Sequence, residues 1–354
     1  LIMNLKYKFN LVSRIAKSLV WQRMPNYAVI FIDGRCNMHC DFCCYAAMDA
    51  RNSSTISPED WGRIFKRADS LLHLTVTGGE PFLRKDFVDI IGNIINSCNV
   101  PRISIKSNGF YIKRIKEYLP KLISKYPSTE FTLSISLDGP EYLHDKVRNF
   151  KGGYNRVLET LAEMDQYRKK ENFFLRIASV LTLENKEILE KFIEETAKWE
   201  IDFHEIILVR DVEEGIQLKL KPTYERLSKL QHSRATKKWR NSFNGKMFEK
   251  IYFETIKRID SKKIHSPCLA GGRFLEIFPD GLVRGCEIEK MWDISKIGNL
   301  NIENQNGYKK DIVDVVKSDE AKKFREISKC CTCTFECANA INTVYDPKHW
   351  SSLV

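Results

Sequence analysis

Six short apolar segments alternate with longer amphipathic segments between residues 27 and 211, and no other feature limits the possible fold as strongly. The apolar segments are rich in β-branched and aromatic residues, which predicts strands, whereas the segments between them repeat apolar residues at helical spacing. Strand–helix alternation predicts a parallel sheet with right-handed crossovers. Six such units predict an α/β fold, a partial (β/α)6 TIM-like barrel. The expected strands cover 27–33, 73–79, 102–109, 131–139, 173–182 and 203–210, and the expected helices cover 57–72, 84–98, 111–126, 152–170 and 185–200.

Polar and glycine-rich loops follow the first four predicted strands. A cysteine-rich loop follows the first strand, and TGGEP (77–81), SNG (107–109) and SLDG (136–139) end the next three. In folds of this class, ligands bind at the carboxyl ends of the parallel strands. We therefore expect these four loops to meet at one mouth of the barrel.

Eleven cysteines occur among the 354 residues, and all but Cys98 belong to two groups. The odd total, the clustering and the absence of a signal sequence argue against a secreted disulfide framework. Metal ligation in a reducing, cytoplasmic compartment is the better interpretation, and Cys98 is expected to lie in the core. The first group is Cys36, Cys40, Cys43 and Cys44, and the second is Cys268, Cys286, Cys330, Cys331, Cys333 and Cys337.

The spacing Cys36-x3-Cys40-x2-Cys43 suits an iron–sulfur cluster. Three thiolates can hold three irons of a cubane and leave the fourth iron open to a ligand from outside the protein. Zinc also takes cysteine ligands, and His39 or Cys44 could complete a zinc site, so the loop alone leaves both metals open.

The cysteine loop and the three strand-end loops together resemble those of radical S-adenosylmethionine (SAM) enzymes. CNMHCDFC is similar to the Cys-x3-Cys-x-aromatic-Cys signature of that superfamily, and TGGEP resembles the glycine-rich motif that meets the amino group of SAM. SNG and SLDG resemble its polar loops that contact the ribose and carboxylate. The resemblance extends from about residue 26 to 345. It implies a 4Fe–4S cluster on Cys36, Cys40 and Cys43, and SAM-binding roles for Phe42, Gly78, Gly79, Glu80, Ser107, Asn108, Ser136, Asp138 and Arg148.

The chemistry that this resemblance implies is reductive cleavage of SAM. One electron from the cluster would give methionine and a 5′-deoxyadenosyl radical, which would abstract a hydrogen atom from the substrate. The cofactors perform the difficult step, and the protein positions them and excludes water. The net charge of +11 suits an acidic flavodoxin- or ferredoxin-type electron donor.

The second cysteine group resembles the C-terminal auxiliary-cluster domains called SPASM and, in shortened form, twitch. The matching features are a PDG hairpin, Gly281-x4-Cys286 and a later Cys-x2-Cys. A full SPASM domain has more cysteines at different intervals, so the resemblance implies one auxiliary 4Fe–4S cluster. Cys268, Cys286 and Cys333 are its expected ligands, with Cys330 or Cys337 as the fourth and Cys331 as the spare. A zinc knuckle that only staples the C-terminal segment is the alternative.

Glu287 is the candidate catalytic residue. In sulfatase-maturing relatives an aspartate directly after the hairpin cysteine removes a substrate proton, and Glu287 occupies that position here. A carboxylate there could act as a general base. His144 and Asp145 precede Arg148, and we expect them to cap a helix.

The remaining segments complete the predicted organisation. A basic amphipathic helix is expected near residues 5–20, packed on its own domain or in peripheral contact with an anionic membrane. No segment is apolar enough to cross a membrane, and no nucleic-acid recognition motif accompanies the positive charge. The predicted domains are the N-terminal helix (1–25), the radical SAM barrel (26–211), a linker with one or two helices (212–261) and the auxiliary-cluster domain (262–354).

These features predict a radical SAM enzyme that acts on a small molecule or a peptide. No peptide-leader-binding domain of the usual type precedes the barrel, which favours a small-molecule or lipid-linked substrate. The alternatives are a non-catalytic iron–sulfur electron-transfer or zinc-binding protein and an RNA-modifying radical SAM enzyme. A non-catalytic module would not require glycine-rich and polar loops at successive strand ends.

Overall fold

The computed structural model of the chain describes residues 13, 14, 17, 25–43, 56–213, 215–261, 266–301 and 309–345. Cys44 and most of the predicted N-terminal helix lie outside these ranges. Of that helix, Arg14 donates hydrogen bonds to the carbonyl oxygens of Leu71 (3.0 Å), Cys98 (2.7 Å) and Asn99 (2.9 Å). This side chain therefore packs on the barrel.

A single nine-stranded sheet organises the fold, in the order β6-β5-β4-β3-β2-β1-β7-β8-β9. Strands β1 to β6 pair in parallel with their sequence neighbours, which confirms the predicted partial (β/α)6 barrel. The six strands are β1 (Tyr27–Phe31), β2 (His73–Thr77), β3 (Arg102–Ser107), β4 (Glu130–Ser136), β5 (Phe173–Leu181) and β6 (Phe203–Leu208).

Helices connect the parallel strands, as expected for crossover units. Ser57 caps the first of them by accepting a hydrogen bond from Asp60 N, and Pro58 occupies its first turn. One short helix after β4 was not predicted. The helices of this part are α1 (Pro58–Phe65), α2 (Phe87–Cys98), α3 (Ile112–Lys125), α4 (Glu141–Val147), α5 (Gly153–Asp165) and α6 (Leu189–Thr196).

The strands direct alternate side chains to opposite faces of the sheet. On β3, Ile103 and Ile105 are buried in the hydrophobic core, whereas Arg102 and Lys106 line the cavity inside the barrel. Each fully buried isoleucine contributes about 1.5–3 kcal/mol to folding. The apolar face thus holds the barrel together and leaves the other face free for ligands.

Residues 212–261, predicted as a linker, form helices that pack on the barrel. Helices α7 (Ile216–Arg234), α8 (Lys237–Arg240) and α9 (Phe243–Ser261) lie against β6 and against each other. Trp239 is buried and stacks on Phe203 with ring centroids 3.8 Å apart. These aromatic contacts hold the helices on β6, where their side chains form part of the wall of the cavity inside the barrel.

The C-terminal segment continues the barrel sheet. Strand β7 (Phe274–Ile277) pairs in parallel with β1, and β8 (Leu282–Arg284) and β9 (Lys296–Asn299) follow in antiparallel order. The predicted hairpin is confirmed, with Gly281 in the left-handed region (φ 83°). Helices α10 (Ile312–Lys317), α11 (Asp319–Ser328) and α12 (Glu336–Val344) complete the fold. The segment that contains the second cysteine group therefore shares a sheet with the barrel.

None of the helices in the described ranges combines the length and apolar character that a membrane crossing requires.

Candidate active site

A cavity of about 440 Å³ occupies the inside of the barrel. Its wall is formed by the inward-facing strand residues, by the loops at the carboxyl ends of β1 to β4, and by side chains of α8, α9 and α12. The predicted convergence of the four loops on one mouth is thus present.

The loop after β1 places three thiols on the cavity wall. Cys36, Cys40 and Cys43 are each half-buried. N–H groups point at two of the sulfurs: Met38 N lies 3.4 Å from Cys36 Sγ, and Arg148 Nη1 lies 3.5 Å from Cys40 Sγ. Donors of this kind stabilise negative charge on sulfur, as metal-bound thiolates require.

Two glycines let the loop after β2 pack directly on the cysteine loop. Gly79 N donates to the carbonyl of Asp33 (2.9 Å) and Glu80 N donates to that of Arg35 (2.8 Å). A Cβ at Gly78 would lie 2.3 Å from the Asp33 oxygen, and one at Gly79 would lie 2.1 Å from the Arg35 oxygen. Only glycine allows this approach, so TGGEP supports the cysteine loop as well as lining the cavity.

Glu80 links the loops after β2 and β3. Its fully buried carboxyl accepts hydrogen bonds from Phe82 N (3.0 Å), Ser107 Oγ (3.0 Å) and Asn108 N (2.8 Å). Burial raises the pKa of Glu80 to about 7, although these hydrogen bonds oppose the shift. Glu80 lies behind the cavity wall and positions Ser107 and Asn108, which line it.

Asp138 and Arg148 form a buried ion pair after β4. Arg148 Nε lies 2.7 Å from Asp138 Oδ2, and its guanidinium lies over the Phe42 ring, 5.1 Å from the centroid. Burial opposes the charged form of Arg148, but the attraction of Asp138 prevails and raises the pKa. Arg148 reaches the cavity, so one cation spans the cysteine loop and the loop after β4.

The capping role expected for Asp145 is confirmed, since its carboxylate accepts hydrogen bonds from Gly152 N and Tyr154 N at the start of α5. His144 lies beside it and accepts a hydrogen bond from Asp138 N (3.3 Å). The core position expected for Cys98 is also confirmed.

The residues at the mouth fit a cluster and a polar cofactor. Three thiols with N–H donors around them share one cavity with an arginine and several backbone-exposing glycines. Asn37 Nδ2 is buried beside the thiols and has no hydrogen-bond partner in the described part of the chain. Among the described residues, no three histidine, cysteine or carboxylate side chains converge on a single metal-ion position. Three cysteine thiols on one wall suit an iron–sulfur cluster whose fourth iron is open to an outside ligand.

The structure brings together most of the residues that the sequence singled out. Glu80 and Asp138 lie behind the wall. Glu80 is hydrogen-bonded to Ser107 and Asn108, and Asp138 is paired with Arg148. The predicted residues that line the cavity are Cys36, Cys40, Phe42, Cys43, Gly78, Gly79, Ser107, Asn108, Ser136, Arg148, Glu287 and Cys337.

A second group of thiols forms beside the hairpin. Cys268 and Cys286 are buried, and each interacts electrostatically with a thiol of the later run, Cys268 with Cys331 and Cys286 with Cys333. Cys331 and Cys333 share a hydrogen bond, which lowers the pKa of Cys331 and raises that of Cys333. Arg258 of α9 holds this run by donating to the Cys331 carbonyl (3.1 Å).

The two expected candidates for the fourth ligand lie apart from this group. Cys330 is exposed, whereas Cys337 is on α12 and accepts a hydrogen bond from the Tyr27 hydroxyl (3.3 Å). Cys331, expected as the spare, lies in the group instead. The reason is local geometry: helix α12 begins at Glu336 and turns Cys337 toward β1 and the cavity.

Glu287 lines the cavity and is paired with a neighbouring cation there. It is 8% exposed and forms an ion pair with Arg210, which also lies over the Phe335 ring at 4.5 Å. A carboxylate held in this way has a fixed orientation toward the cavity.

Sequence reasoning missed the charged residues on the inner faces of the strands. Arg102, Lys106, Arg176 and Glu205 all line the cavity. The signal was available, because a charge at an alternate position of an otherwise apolar strand marks a face that does not meet the helices.

Comparison with known proteins finds a family profile that matches part of the chain. Residues 30–196 match the sequence profile of the Radical SAM superfamily. The chain is 23% identical over 273 residues to the sporulation killing factor maturation protein SkfB of Bacillus subtilis, covering 76% of this chain and 62% of SkfB. A probable GTP 3′,8-cyclase of Methanocaldococcus jannaschii is 32% identical over 133 residues, covering 36% of this chain and 42% of that protein. The chain therefore spans less than two thirds of these relatives.

Solved structures share the fold. Streptococcus suis SuiB bound to S-adenosylmethionine superposes with a TM-score of 0.60 at 19% identity, over 88% of this chain and 71% of SuiB. The protein anSMEcpe with bound AdoMet gives a TM-score of 0.60 at 17% identity, over 86% of this chain and 83% of that protein. Both likenesses support the partial-barrel fold.

Proposed function

Because the chain carries a radical SAM domain over residues 30–196, we propose that it binds SAM beside a 4Fe–4S cluster and uses both to take a hydrogen atom from a peptide or a small molecule. The observation that carries this proposal is the shared cavity wall of the three cysteines and the loops after β2, β3 and β4. When bound, the cluster supplies the electron that splits SAM into methionine and a 5′-deoxyadenosyl radical.

Different residues at the mouth hold the cluster and SAM. Cys36, Cys40 and Cys43 ligate the cluster, and Gly78 and Gly79, which line the cavity beside them, meet the amino end of SAM. Arg148, held by Asp138, offers a fixed cation to the SAM carboxylate. The hydrogen bonds within the loops fix these groups before any ligand binds.

Other loop residues complete the proposed SAM site. Ser107, Asn108 and Ser136 present polar side chains to the ligand, with Ser107 and Asn108 positioned by Glu80. The Phe42 ring lies beside the Arg148 guanidinium and shields it from water.

A second cluster is proposed at the hairpin. Cys268, Cys286, Cys331 and Cys333 supply four thiols in one neighbourhood, which suits an auxiliary 4Fe–4S cluster. This set replaces Cys330 and Cys337 by Cys331. Such a cluster could receive an electron from the substrate and so assist an oxidation.

Glu287 remains the proposed proton acceptor for that oxidation. Its carboxylate lies on the cavity wall, and Arg210 fixes its orientation. A substrate that displaces Arg210 from the carboxylate would free an oxygen of Glu287 to accept the proton.

The substrate class rests on relatives and on the cavity. SkfB is named for maturation of a sporulation killing factor, and SuiB is known bound to the precursor peptide SuiA. A peptide side chain or a small molecule would both fit a cavity of this size. A flavodoxin- or ferredoxin-type protein is the proposed electron donor, in agreement with the net charge of +11.

Anaerobic reconstitution with iron and sulfide tests the proposed function. The wild-type chain should bind about eight irons in two clusters and, with dithionite, convert SAM to 5′-deoxyadenosine. A variant with Cys36, Cys40 and Cys43 changed to alanine should keep about four irons and lose the cleavage.

The matched control is Cys98→Ala, which removes a thiol from the core and should keep both properties. Cleavage of SAM by the triple variant, or bound zinc with no cleavage by the wild type, would contradict the proposal.

A further inference from the structure

The inside of the barrel carries an unusual set of buried charges. Lys106, Ser134 and Arg176 lie side by side on β3, β4 and β5, because Lys106 pairs with Ser134 and Ser134 pairs with Arg176. The small serine leaves open space between the two long cations. Arg102 lies on the same face of β3, four residues closer to its amino end, and all three cations line the cavity.

The carboxylate of Glu205 pairs with two of these cations. Glu205 Oε2 lies 3.0 Å from Lys106 Nζ and 3.4 Å from Arg176 Nη2. Arg102 instead donates to the Asn244 side-chain oxygen (2.6 Å) and lies 4.5 Å from the centre of the Phe243 ring. Glu205 is therefore shared by two cations, whereas the hydrogen bond of Arg102 goes to an uncharged side chain.

The guanidinium groups also retain unused donors. The side chain of Arg176 is only 9% exposed, and its Nε has no hydrogen-bond partner in the described part of the chain. The Nε of Arg102 is in the same situation. Leaving buried charged donors without partners is costly, so such an arrangement is stable when an anion completes it.

Titration behaviour reflects the closeness of these cations. Burial, with Arg176 as the next cause, lowers the pKa of Lys106. The cations outweigh burial at Glu205 and lower its pKa to about 2. Burial and the three cations lower the pKa of His73, which leaves this ring neutral.

We propose that Arg102, Lys106 and Arg176 form an anion subsite that binds the phosphate or carboxylate group of the substrate. Two guanidinium groups and an ammonium provide the forked donors and point charge that both oxyanions prefer. This inference rests on the proposed function for the rest of the cavity and adds the substrate's charged group to it.

The helical part of the cavity wall indicates what the rest of the ligand is like. Trp239, Phe243, Phe248, Tyr252 and Ile341 from α8, α9 and α12 face the same cavity. A substrate with an oxyanion at one end and an apolar or aromatic body would therefore lie with its anion against the strands. The cysteine loop is part of the same cavity, so anchoring the anion would fix which C–H bond faces SAM.

The test uses the anaerobic holoenzyme with SAM bound, so that the cofactor's own carboxylate already occupies its site. Inorganic phosphate and acetate are titrated separately by calorimetry at constant ionic strength, because surface charges would otherwise contribute. We expect saturable binding of one anion per chain. Tighter binding of phosphate would identify a phosphate ligand, and tighter binding of acetate a carboxylate.

The variants change this affinity in opposite directions. Arg176→Gln and Arg102→Gln should each weaken binding at least 10-fold, whereas Glu205→Gln should strengthen it about 3-fold by removing the competing carboxylate. A gain of affinity cannot result from misfolding, so Glu205→Gln keeps the test informative if an arginine variant is unstable. The matched control is Arg226→Gln, which removes an exposed ion pair with Glu190 and should change nothing.

Two readouts separate this inference from the proposed function. Reductive SAM cleavage without substrate is measured on the same samples. Cleavage without saturable anion binding, or binding that Arg176→Gln, Arg102→Gln and Glu205→Gln leave unchanged, would overturn the subsite alone. Anion binding that responds to these variants in a protein without cleavage would uphold the subsite and refute the proposed function.

Discussion

At the scale of single residues, Glu80 shows how a buried carboxyl can organise a site without lining it. It accepts hydrogen bonds from the backbone and side chains of two loops, and both loops reach the cavity. The sequence suggested a partner for a ligand's ammonium group at this position. In the structure the carboxyl also joins the loops after β2 and β3, a role that only the three-dimensional neighbours reveal.

Glu80 should make stability depend on pH. Its pKa is about 7 in the folded chain against an ordinary value of 4.5, so between these pH values the folded state holds a proton that the unfolded state has lost. Stability from this group is therefore full below pH 4.5 and is lost as pH rises to 7, by about 3 kcal/mol at most. Glu80→Gln should remove this component, as urea unfolding at pH 5 and pH 7 without SAM would measure.

The control for this prediction is Glu117→Gln, at an exposed helix pair with Lys121, which should follow the wild-type pH profile. If the stability of Glu80→Gln and of the wild type depended equally on pH, the Glu80 carboxyl would not be the cause of the pH dependence.

At the scale of elements, the parallel strands were predictable, whereas the bounds and the packing of the helices after β6 were not. Strands β1 to β6 can be recognised in the sequence because apolar residues such as Ile103 and Ile105 concentrate where helices cover the sheet. Helix α7 contains Pro222 and a largely basic exposed face, so its buried stripe of Leu220, Tyr224 and Leu227 is hard to recognise. Tertiary contacts with β6, absent from any local pattern, decide this element.

Trp239 should hold α8 and α9 on the barrel. It is 3% exposed and stacks on Phe203, so Trp239→Ala should lower the free energy of unfolding by about 3–5 kcal/mol through loss of contacts and a new cavity. Urea unfolding checks the value. Phe253→Ala on the same helix pair is the control, because that ring is 56% exposed and its loss should cost about 0.5 kcal/mol or less. Similar losses in both variants would refute this role.

At the scale of the whole molecule, the second cysteine group belongs to the barrel more closely than sequence suggested. A change of composition after residue 261 predicted a separate small domain, but β7 pairs with β1 along Tyr27–Ile30. Strand pairing between distant segments leaves no local signal, and β7 is only four residues long. The proposed choice of Cys331 over Cys330 and Cys337 rests likewise on how α11 and α12 meet the hairpin.

The choice of auxiliary ligand can be tested by metal content. Cys331→Ala should lower the iron of the reconstituted chain from about eight to about four atoms and remove one electron paramagnetic resonance signal from the reduced protein. Cys330→Ala is the matched control one residue away, at an exposed thiol, and should retain both signals. The reverse pattern would return the fourth ligand to Cys330.

The parallel pairing of β1 with β7 has a consequence for any attempt to isolate a minimal barrel. Strand β1 carries the cysteine loop at its end and is hydrogen-bonded on both sides, to β2 and to β7. Truncation before residue 266 would remove β7 and leave β1 as an edge strand. The backbone amides of β1 on that side would then be unpaired, next to apolar side chains. Such edges recruit strands from other molecules. The shortened protein should therefore precipitate or self-associate rather than survive as a smaller catalyst.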